Sequence, residues 1–313
     1  MPGFEHGQNR RQVYIIFSVD TEHDIISRYK TKTAGWSKGI PLLFEIFDSF
    51  GMRGKVCWLI EYNLKDGILA ANPRSEFFVK EFLELIMQIK NREDELGLHP
   101  TMYDWLGGEK QIPASSYNDP DLWDFARPYY DPEFVINLIT AAAKEFREDC
   151  QVNPIGCRTG AFQYATHLAT ALDRNGIHID SSVSKGLKQW VRVPNAYYAA
   201  RDNIRHKATE KTGVLEIPTV GYICNSRSDF LLRTRTWYLL HRRQPIFLSL
   251  FIHNWQAINS DGGADWRFLD NLSSFLHLLS NHGAHFMSWT EANETYNGIY
   301  GNSYGRMDAD VHG

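Results

Sequence analysis

The sequence predicts a single-domain α/β protein, with a closed or nearly closed barrel favoured over an open doubly wound sheet. Short apolar runs alternate with amphipathic helical patterns in roughly seven strand-then-helix units. No linker or change of composition interrupts the 313 residues, so we expect one domain over 1–313. Hydrophobic residues make up 43% and charged residues 22% of the chain, as in ordinary globular proteins. The alternation alone fits either architecture.

The first predicted strand is "VYIIFSVD", residues 13–20, a continuous apolar run typical of a strand buried on both faces of a parallel sheet. Asp20 stands at its carboxyl end. The apolar residues of "IPLLFEIFDSFGM" then recur at helical spacing, and Gly51 is expected to end that helix.

The second and third units follow the same order. "KVCWLIE" is the second predicted strand, "SEFFVKEFLELIMQIKN" the amphipathic helix after it, and "DELGLHP" the third strand. Residues 100–130 form too long a polar stretch for a simple connection, so they are a candidate binding loop. "DPEFVINLITAAAKEFRED" returns to a helical pattern.

The second half repeats the alternation with shorter strands. "PIGCR" is a brief strand that ends at Arg158, "YATHLATALDRNG" a helix, and "IHIDSS" and "VLEIP" are strands separated by residues 183–213, which show no clear period.

The last part of the chain contains the strongest strand. "DFLLRTRTWYLLHRR" is a predicted helix, and "QPIFLSLFIH" a strand that ends at His253. "WRFLDNLSSFLHLLSNHG" is helical, "HFMSW" is the last strand, and "TEANETY" a short helix.

Charge and cysteine content exclude several classes of function. A net charge of −4 and a pI near 6.3 provide no general attraction to nucleic acid. The 4 cysteines form no C-x-x-C pair, so neither a zinc knuckle nor a redox motif is present and free thiols are expected. The N-terminus lacks the order of a secretion signal, and no apolar run there could span a bilayer, so we predict a cytoplasmic protein without a membrane span.

Charged or titratable residues stand at the ends of five predicted strands. Both barrels and open sheets bind ligands beyond the carboxyl ends of parallel strands, so the site is expected there. Each residue alone has a structural explanation, such as a helix cap for Asp20, a hydrogen-bonded histidine or an ion-pair partner, but all five together favour a functional site. The residues are Asp20 with Glu22, His99, Arg158, Asp180 and His253.

The pair Asp20-x-Glu22 indicates a specific chemistry. Residues two apart in an extended segment point the same way, so both carboxylates face one side. One carboxylate can bind a divalent metal ion while its neighbour takes a proton from the water that the ion activates. A histidine across the site could protonate the leaving group.

Five short motifs, in order, resemble those of the NodB-homology polysaccharide deacetylases, carbohydrate esterase family 4. They are "SVDTE", "ELGLHP", "GCRTGAF", "IDSS" and "FIH", and "HFMSWTEA" is similar to a common family ending. The resemblance implies a single distorted (β/α)7 barrel of the glycoside hydrolase/deacetylase type. It also implies metal-dependent hydrolysis of an N-acetyl, sometimes O-acetyl, group on a sugar.

The resemblance also implies residue roles. Asp20 would be the general base, Arg158 the residue that orients it, and His253 the general acid. Glu22 and His99 would bind a divalent metal ion, usually Zn²⁺. The expected substrate is an N-acetylated sugar or a cytoplasmic saccharide precursor of surface polysaccharide. Candidate substrate contacts are Asp180, Tyr103, Trp105 and Trp255.

The second motif departs from the family pattern, which normally supplies another histidine. Thr101 and Tyr103 occupy those positions, and Tyr103, Asp104 or His23 could fill the vacancy. Because catalytic zinc sites usually have three protein ligands, two alternatives stay open. One is a metal-independent amide (C–N) hydrolase on the same barrel, and the other is a non-catalytic saccharide-binding relative.

Overall fold

The computed structural model of the chain describes most of the predicted strands and helices. The residues described are 13–21, 35–65, 68–70, 76–102, 104–105, 123–124, 127–160, 167–183, 213–217, 219–222 and 246–304. Strands are β1 (Val13–Thr21), β2 (Val56–Lys65), β3 (Ile68–Ala70), β4 (Glu95–Pro100), β5 (Asp104–Trp105), β6 (Trp123–Asp124), β7 (Ile179–Asp180), β8 (Leu215–Glu216), β9 (Thr219–Tyr222), β10 (Ile246–His253) and β11 (Ala284–Met287).

Helices follow most of these strands, as the alternation predicts. They are α1 (Ile40–Ser49), α2 (Glu76–Asn91), α3 (Arg127–Tyr130), α4 (Pro132–Cys150), α5 (Leu168–Arg174), α6 (Trp266–Asn281) and α7 (Trp289–Tyr304). A π-helical turn (Gly35–Gly39) precedes α1, and a 3₁₀ helix (Asn254–Ala257) follows β10. The helix predicted in "DFLLRTRTWYLLHRR" lies outside the described residues.

The strands pair in a parallel ring. β10 pairs with β1 along one edge, while on the other edge β11 pairs with Val13–Ile16 and β2 pairs with Phe17–Thr21; β4 pairs with β2. Leu98 of β4 bridges Cys157, and Cys157 bridges Asp180 of β7. β7 pairs with β8, and β9, a few residues along the same segment, pairs with β10. The path of neighbours runs from β10 through β1, β2 and β4 to Cys157, β7 and the β8–β9 segment, which agrees with the distorted barrel that the sequence motifs implied.

The amino-terminal end of the barrel interior is apolar and closed. Trp289, the first residue of α7, is fully buried and packs among inward-facing strand residues. A Cβ at Gly156 would lie 2.4 Å from Cζ3 of Trp289, so only glycine fits beneath the ring. The strand residues of this cluster are Ile16, Cys57, Leu59, Ile179, Leu215, Phe247 and Met287, and Ile217 directly follows β8.

The interior becomes polar toward the carboxyl ends of the strands. On β1 the inward-facing residues after Ile16 are Ser18 and Asp20, because side chains alternate between the two faces. The opposite face of β1 carries Ile15, Phe17 and Val19, which pack in the outer core with α1. The site therefore lies at the predicted rim.

The amino terminus of α7 is fixed by three polar residues. Glu291 Oε2 accepts from the Ser288 N–H at 2.9 Å, and the Ser288 hydroxyl accepts from the Glu291 N–H at 3.2 Å, which is a capping box. Glu95, at the start of β4, accepts from the N–H of Trp289 at 2.7 Å. These bonds hold Trp289 at the end of the barrel.

Among the described residues, no helix is long and apolar enough to cross a membrane. The interpretation of residues 1–313 as one catalytic domain stays a prediction.

Candidate active site

A buried ion pair joins Asp20 to Arg158. Oδ1 of Asp20 accepts from Nε of Arg158 at 3.0 Å and from Nη2 at 2.6 Å. Asp20 is 2% exposed and Arg158 is 0% exposed. Because an unpaired buried charge costs several kcal/mol, each residue depends on the other for its place in the barrel.

Hydroxyl groups hold the rest of the guanidinium. Nη2 of Arg158 donates to Oγ of Ser18 at 2.6 Å, and Ser18 donates in turn to the carbonyl of Leu250 at 3.3 Å. Nη1 donates to Oγ1 of Thr219 at 3.3 Å. The guanidinium carbon also lies 4.7 Å from the ring centroid of Phe251. Contacts from β1, β9 and β10 therefore fix the orientation that Arg158 imposes on Asp20.

His99, on β4, presents Nε2 to the same carboxylate. Its Nδ1 lies 2.6 Å from the carbonyl oxygen of Arg158. A carbonyl can only accept, so we assign a proton to Nδ1, and in the neutral ring Nε2 then carries a lone pair. Nε2 is 3.9 Å from Oδ2 of Asp20. Histidines that bind metals commonly have this kind of carbonyl partner on the other nitrogen.

His253, the last residue of β10, approaches Asp20 from the other side. Its Nε2 is also 3.9 Å from Oδ2 of Asp20. β1 and β10 pair in register with Asp20 opposite His253, which explains the proximity. The imidazole stacks on Trp255, with ring centroids 5.0 Å apart and an angle of 28° between the planes.

The side chains of Asp20, Arg158, His99 and His253 together leave a gap for a reacting atom. Oδ1 of Asp20 is occupied by Arg158, and Oδ2 lies at equal distances from two imidazole nitrogens. A gap of 3.9 Å is too long for a hydrogen bond, but an atom placed about 2.8 Å from both partners fits it. The structure brings Asp20, Arg158, His99 and His253 to one rim, and their catalytic roles stay predictions.

Asp180 is placed differently. It follows the inward-facing Ile179 in β7, so it points to the outer face, where Oδ1 accepts from the hydroxyl of Ser182 at 2.6 Å. Glu216 on β8 is its neighbour in register. Burial raises the pKa of Asp180, against the opposing effect of hydrogen bonds with Glu216 and Ser182. A substrate contact at Asp180 stays a prediction.

The other predicted contacts are described only in part. Glu22 and Tyr103 lie outside the described residues, as do His23 and Asp24. The backbone of Trp105 belongs to β5, which pairs antiparallel with β6. Trp255 is half-buried beside His253.

Glu61, on β2, is a rim carboxylate that the sequence reasoning missed. It pairs in register with His99 and follows Cys57 and Leu59 on the inward face. The hydroxyl of Thr101 donates to Oε1 of Glu61 at 3.4 Å. The signal was present, because Glu61 ends the run "KVCWLIE" in phase with the residues that line the interior.

The described residues of this site provide some, but not all, of the ligands that a divalent metal ion needs. His99 provides a nitrogen of the right kind, and Asp20 provides a carboxylate oxygen. Within the described part of the chain, no three His, Cys, Asp or Glu side chains are arranged to hold a metal ion. The described residues therefore do not make up a metal site by themselves, and zinc binding stays a prediction.

Thiol chemistry does not compete with this assignment. Cys57, Cys150 and Cys157 are free and buried, as the sequence predicted for isolated cysteines. Burial raises the pKa of Cys150 to about 12 and raises the pKa values of Cys57 and Cys157 well above the ordinary value, so no thiolate nucleophile is available among these three.

Comparison with solved structures identifies the fold. A Mycobacterium smegmatis structure named as a candidate polysaccharide deacetylase superposes with a TM-score of 0.60 at 12% identity, over 93% of this chain and 92% of that chain. The fold is that of a polysaccharide deacetylase. It agrees with the ring of parallel strands and with the (β/α)7 barrel that the sequence motifs implied.

Two further solved structures show weaker similarity. The CE4 domain of a multidomain xylanase from the hindgut metagenome of Trinervitermes trinervoides has a TM-score of 0.46 at 11% identity, over 92% of both chains. A family 4 acetyl xylan esterase from Clostridium thermocellum, in complex with cobalt, has a TM-score of 0.44 at 10% identity, over 91% of this chain and 92% of that chain. No family model and no curated protein matches the sequence.

Proposed function

We propose that this chain is a hydrolase that removes an N-acetyl group from a sugar or a cytoplasmic saccharide precursor. The observation that carries the proposal is the position of Asp20, with Oδ1 fixed by Arg158 and Oδ2 at 3.9 Å from both histidine nitrogens. This arrangement offers a proton acceptor and a proton donor within reach of one water molecule. The deacetylase fold supports the assignment.

The proposed reaction needs two proton transfers. Asp20 accepts a proton through Oδ2 from a water that adds to the amide carbonyl carbon, which gives a tetrahedral intermediate. His253 donates a proton through Nε2 to the amide nitrogen, and the C–N bond breaks to release acetate and the free amino sugar. Arg158 holds Asp20 in the orientation that both steps require.

A divalent metal ion bound at His99 and Glu22, with Zn²⁺ expected first, would polarise the amide carbonyl and activate the water. The metal-independent amide hydrolase is a second candidate, and a specific observation favours it. Where the family's second histidine is expected, the hydroxyl of Thr101 binds Glu61 instead.

An acetate-release assay tests the proposal. Purified protein is incubated with N-acetylated nucleotide sugars and oligosaccharides, once with Zn²⁺ and once with a chelator, and its bound metal is measured. We expect release from at least one substrate, reduced roughly 10²–10⁴-fold in Asp20→Asn. Asp270→Asn, an exposed carboxylate on α6, serves as the matched control.

The outcomes separate the candidates. Activity that the chelator abolishes selects the metal-dependent deacetylase, and activity that persists selects the metal-independent hydrolase. Saccharide binding with no release by the wild type would overturn the proposed hydrolase and leave the non-catalytic relative.

A further inference from the structure

The two hydrogen bonds that Arg158 donates to Asp20 converge on one carboxylate oxygen. Nε at 3.0 Å and Nη2 at 2.6 Å both donate to Oδ1. Arginine frequently pairs with a carboxylate through two parallel bonds, one to each oxygen. In this barrel Oδ2 instead faces Nε2 of His99 and Nε2 of His253, at 3.9 Å from each. Some contact must therefore hold the guanidinium away from the more common two-oxygen pairing.

Ser18 holds the guanidinium from the deeper side of the site. Ser18 precedes Asp20 by two residues on β1, so both side chains point into the barrel and Ser18 lies one layer below. Nη2 of Arg158 is 2.6 Å from Oγ of Ser18 and 2.6 Å from Oδ1 of Asp20. One nitrogen thus bridges two side chains of the same strand, whose separation of about 6.6 Å is set by strand geometry. The Ser18 hydroxyl donates to the carbonyl of Leu250 at 3.3 Å, which leaves its oxygen to accept from the guanidinium.

The other contacts of the guanidinium restrain its rotation less than Ser18 does. The guanidinium carbon lies over the ring of Phe251, 4.7 Å from its centroid, which opposes motion out of the guanidinium plane. Nη1 donates to Oγ1 of Thr219 over a longer distance, 3.3 Å. A small rotation within the plane would let Nε and Nη2 pair with one carboxylate oxygen each, and it would break the short bond to Ser18. The Ser18 hydroxyl is therefore the contact that most directly opposes this rotation.

We propose that Ser18 is a positioning residue, which holds Arg158 on Oδ1 of Asp20 and so keeps Oδ2 turned toward the two histidines. The inference rests on the proposed function, because Oδ2 is the oxygen that faces the attacking water in that reaction. Ser18 and Arg158 are both 0% exposed, so bulk water does not compete for the bond between them. A buried donor that loses its acceptor is costly to leave without another, and Oδ2 is a charged acceptor on the side chain that Nη2 already binds.

Removal of the Ser18 hydroxyl should change the pairing and slow the reaction. In Ser18→Ala we expect Nε and Nη2 of Arg158 to bind one oxygen of Asp20 each, so that Oδ2 no longer faces the histidines. The kcat for acetate release should then fall roughly 10–10²-fold, the effect of a displacement of about 1 Å at a reacting group. KM should stay near the wild-type value, because the fully buried Ser18 does not reach the saccharide. Ser18→Thr keeps the hydroxyl and should keep the wild-type pairing and most of kcat.

Crystal structures and steady-state kinetics of the full-length wild type and its variants test the inference, with the same added metal ion throughout. The structures give the distances from Nε and Nη2 of Arg158 to each oxygen of Asp20, and the kinetics give kcat and KM separately. Ser249→Ala is the matched control. Ser249 is a serine of β10 at 2% exposure, and within the described part of the chain its hydroxyl has no hydrogen-bond partner, so its loss should change neither the pairing nor kcat. If Ser18→Ala does not fold, Ser18→Cys replaces it, because a thiol is only a weak acceptor.

A folded variant without the hydroxyl that keeps both bonds on Oδ1, or that keeps the kcat of an active wild type, would overturn the inference. A serine with a purely structural role would lower the melting temperature when replaced and leave pairing and kcat unchanged. The pairing is measured without turnover, so the two proposals can fail separately. If the wild type releases no acetate, the proposed function fails, whereas a two-oxygen pairing in Ser18→Ala that is absent from Ser18→Thr would still support the role of Ser18 at Asp20.

Discussion

The two ends of the barrel interior are built on the same strands and serve opposite purposes. On β1, Ile16 contributes to the closed apolar end, and Asp20, four residues later, belongs to the polar rim. At the apolar end the side chain of Trp289 packs among buried apolar residues, and Glu95 holds its backbone N–H. The rim buries an ion pair and His99 and half-buries His253, which costs desolvation free energy. Burial thus stabilises the protein at one end and orders a reactive group at the other.

The largest expected effect comes from breaking the ion pair at the rim. Arg158→Leu leaves Asp20 buried without its partner and should lower the free energy of unfolding by about 3–5 kcal/mol, with loss of acetate release. The double variant Asp20→Leu/Arg158→Leu buries no charge, so it should recover much of that stability but no activity. Urea unfolding measures the stability of each variant, and the acetate-release assay measures its activity. A double variant as unstable as the sum of the two single variants would contradict this account of the rim.

Trp289→Ala tests the apolar end. Removal of this fully buried side chain should cost about 3–5 kcal/mol of unfolding free energy, through lost burial and the cavity left behind. Well below its melting temperature the variant should keep kcat near that of wild type, because Trp289 packs with the apolar residues at the amino-terminal end of the interior. Trp266→Ala, at 66% exposure, is the control and should change stability by no more than about 0.5 kcal/mol. A large loss of kcat in folded Trp289→Ala would show that the two ends are coupled.

The smallest effect is expected at the cap of α7, and it depends on pH. Burial alone raises the pKa of Glu291, but hydrogen bonds from Lys55 and from the Ser288 N–H outweigh it and hold the pKa below the ordinary value of 4.5. The carboxylate therefore stabilises the folded chain above that value, and the contribution is lost as the pH falls through the folded pKa.

Glu291→Ala should thus cost about 0.5–1 kcal/mol at pH 7, a small amount because the ion pair with Lys55 is partly exposed. The difference from wild type should narrow below pH 4.5. Thermal unfolding of both proteins, from pH 7 to below pH 4.5, measures this difference in stability. The exposed Glu294→Ala is the control. If the stability difference between Glu291→Ala and wild type instead grew as the pH fell, the ionised carboxylate of Glu291 would not be what stabilises the fold.

The long strands and the rim could be predicted from sequence because their patterns are strong. The runs that end at Asp20 and His253 are eight residues or longer in the structure, and parallel strands bring their carboxyl ends together. The helix that Gly51 was expected to stop ends at Ser49, with Phe50 as its C-cap and Gly51 just beyond it at φ +65°.

Short elements could not be assigned a face. β7 has only two residues, so periodicity gives no phase, and Asp180 lies on the outer face although it follows a strand as Asp20 does. Trp289 was placed in the last strand, but it begins α7 because the capping box of Ser288 and Glu291 starts the helix one residue before it. The stack of Trp255 on His253 depends on a 3₁₀ turn, for which the sequence has no periodic signal.

The closure by Trp289 has a consequence for how the chain acquires its structure during synthesis. β1 pairs with β10 and β11, which emerge from the ribosome more than two hundred residues later, and the tryptophan that excludes water from the interior follows both. Until then β1 has no partner on the edge that pairs with β10, and Val13–Ile16 have none on the other edge. Slow maturation and a need for chaperones are the expected biological outcome of such distant pairing.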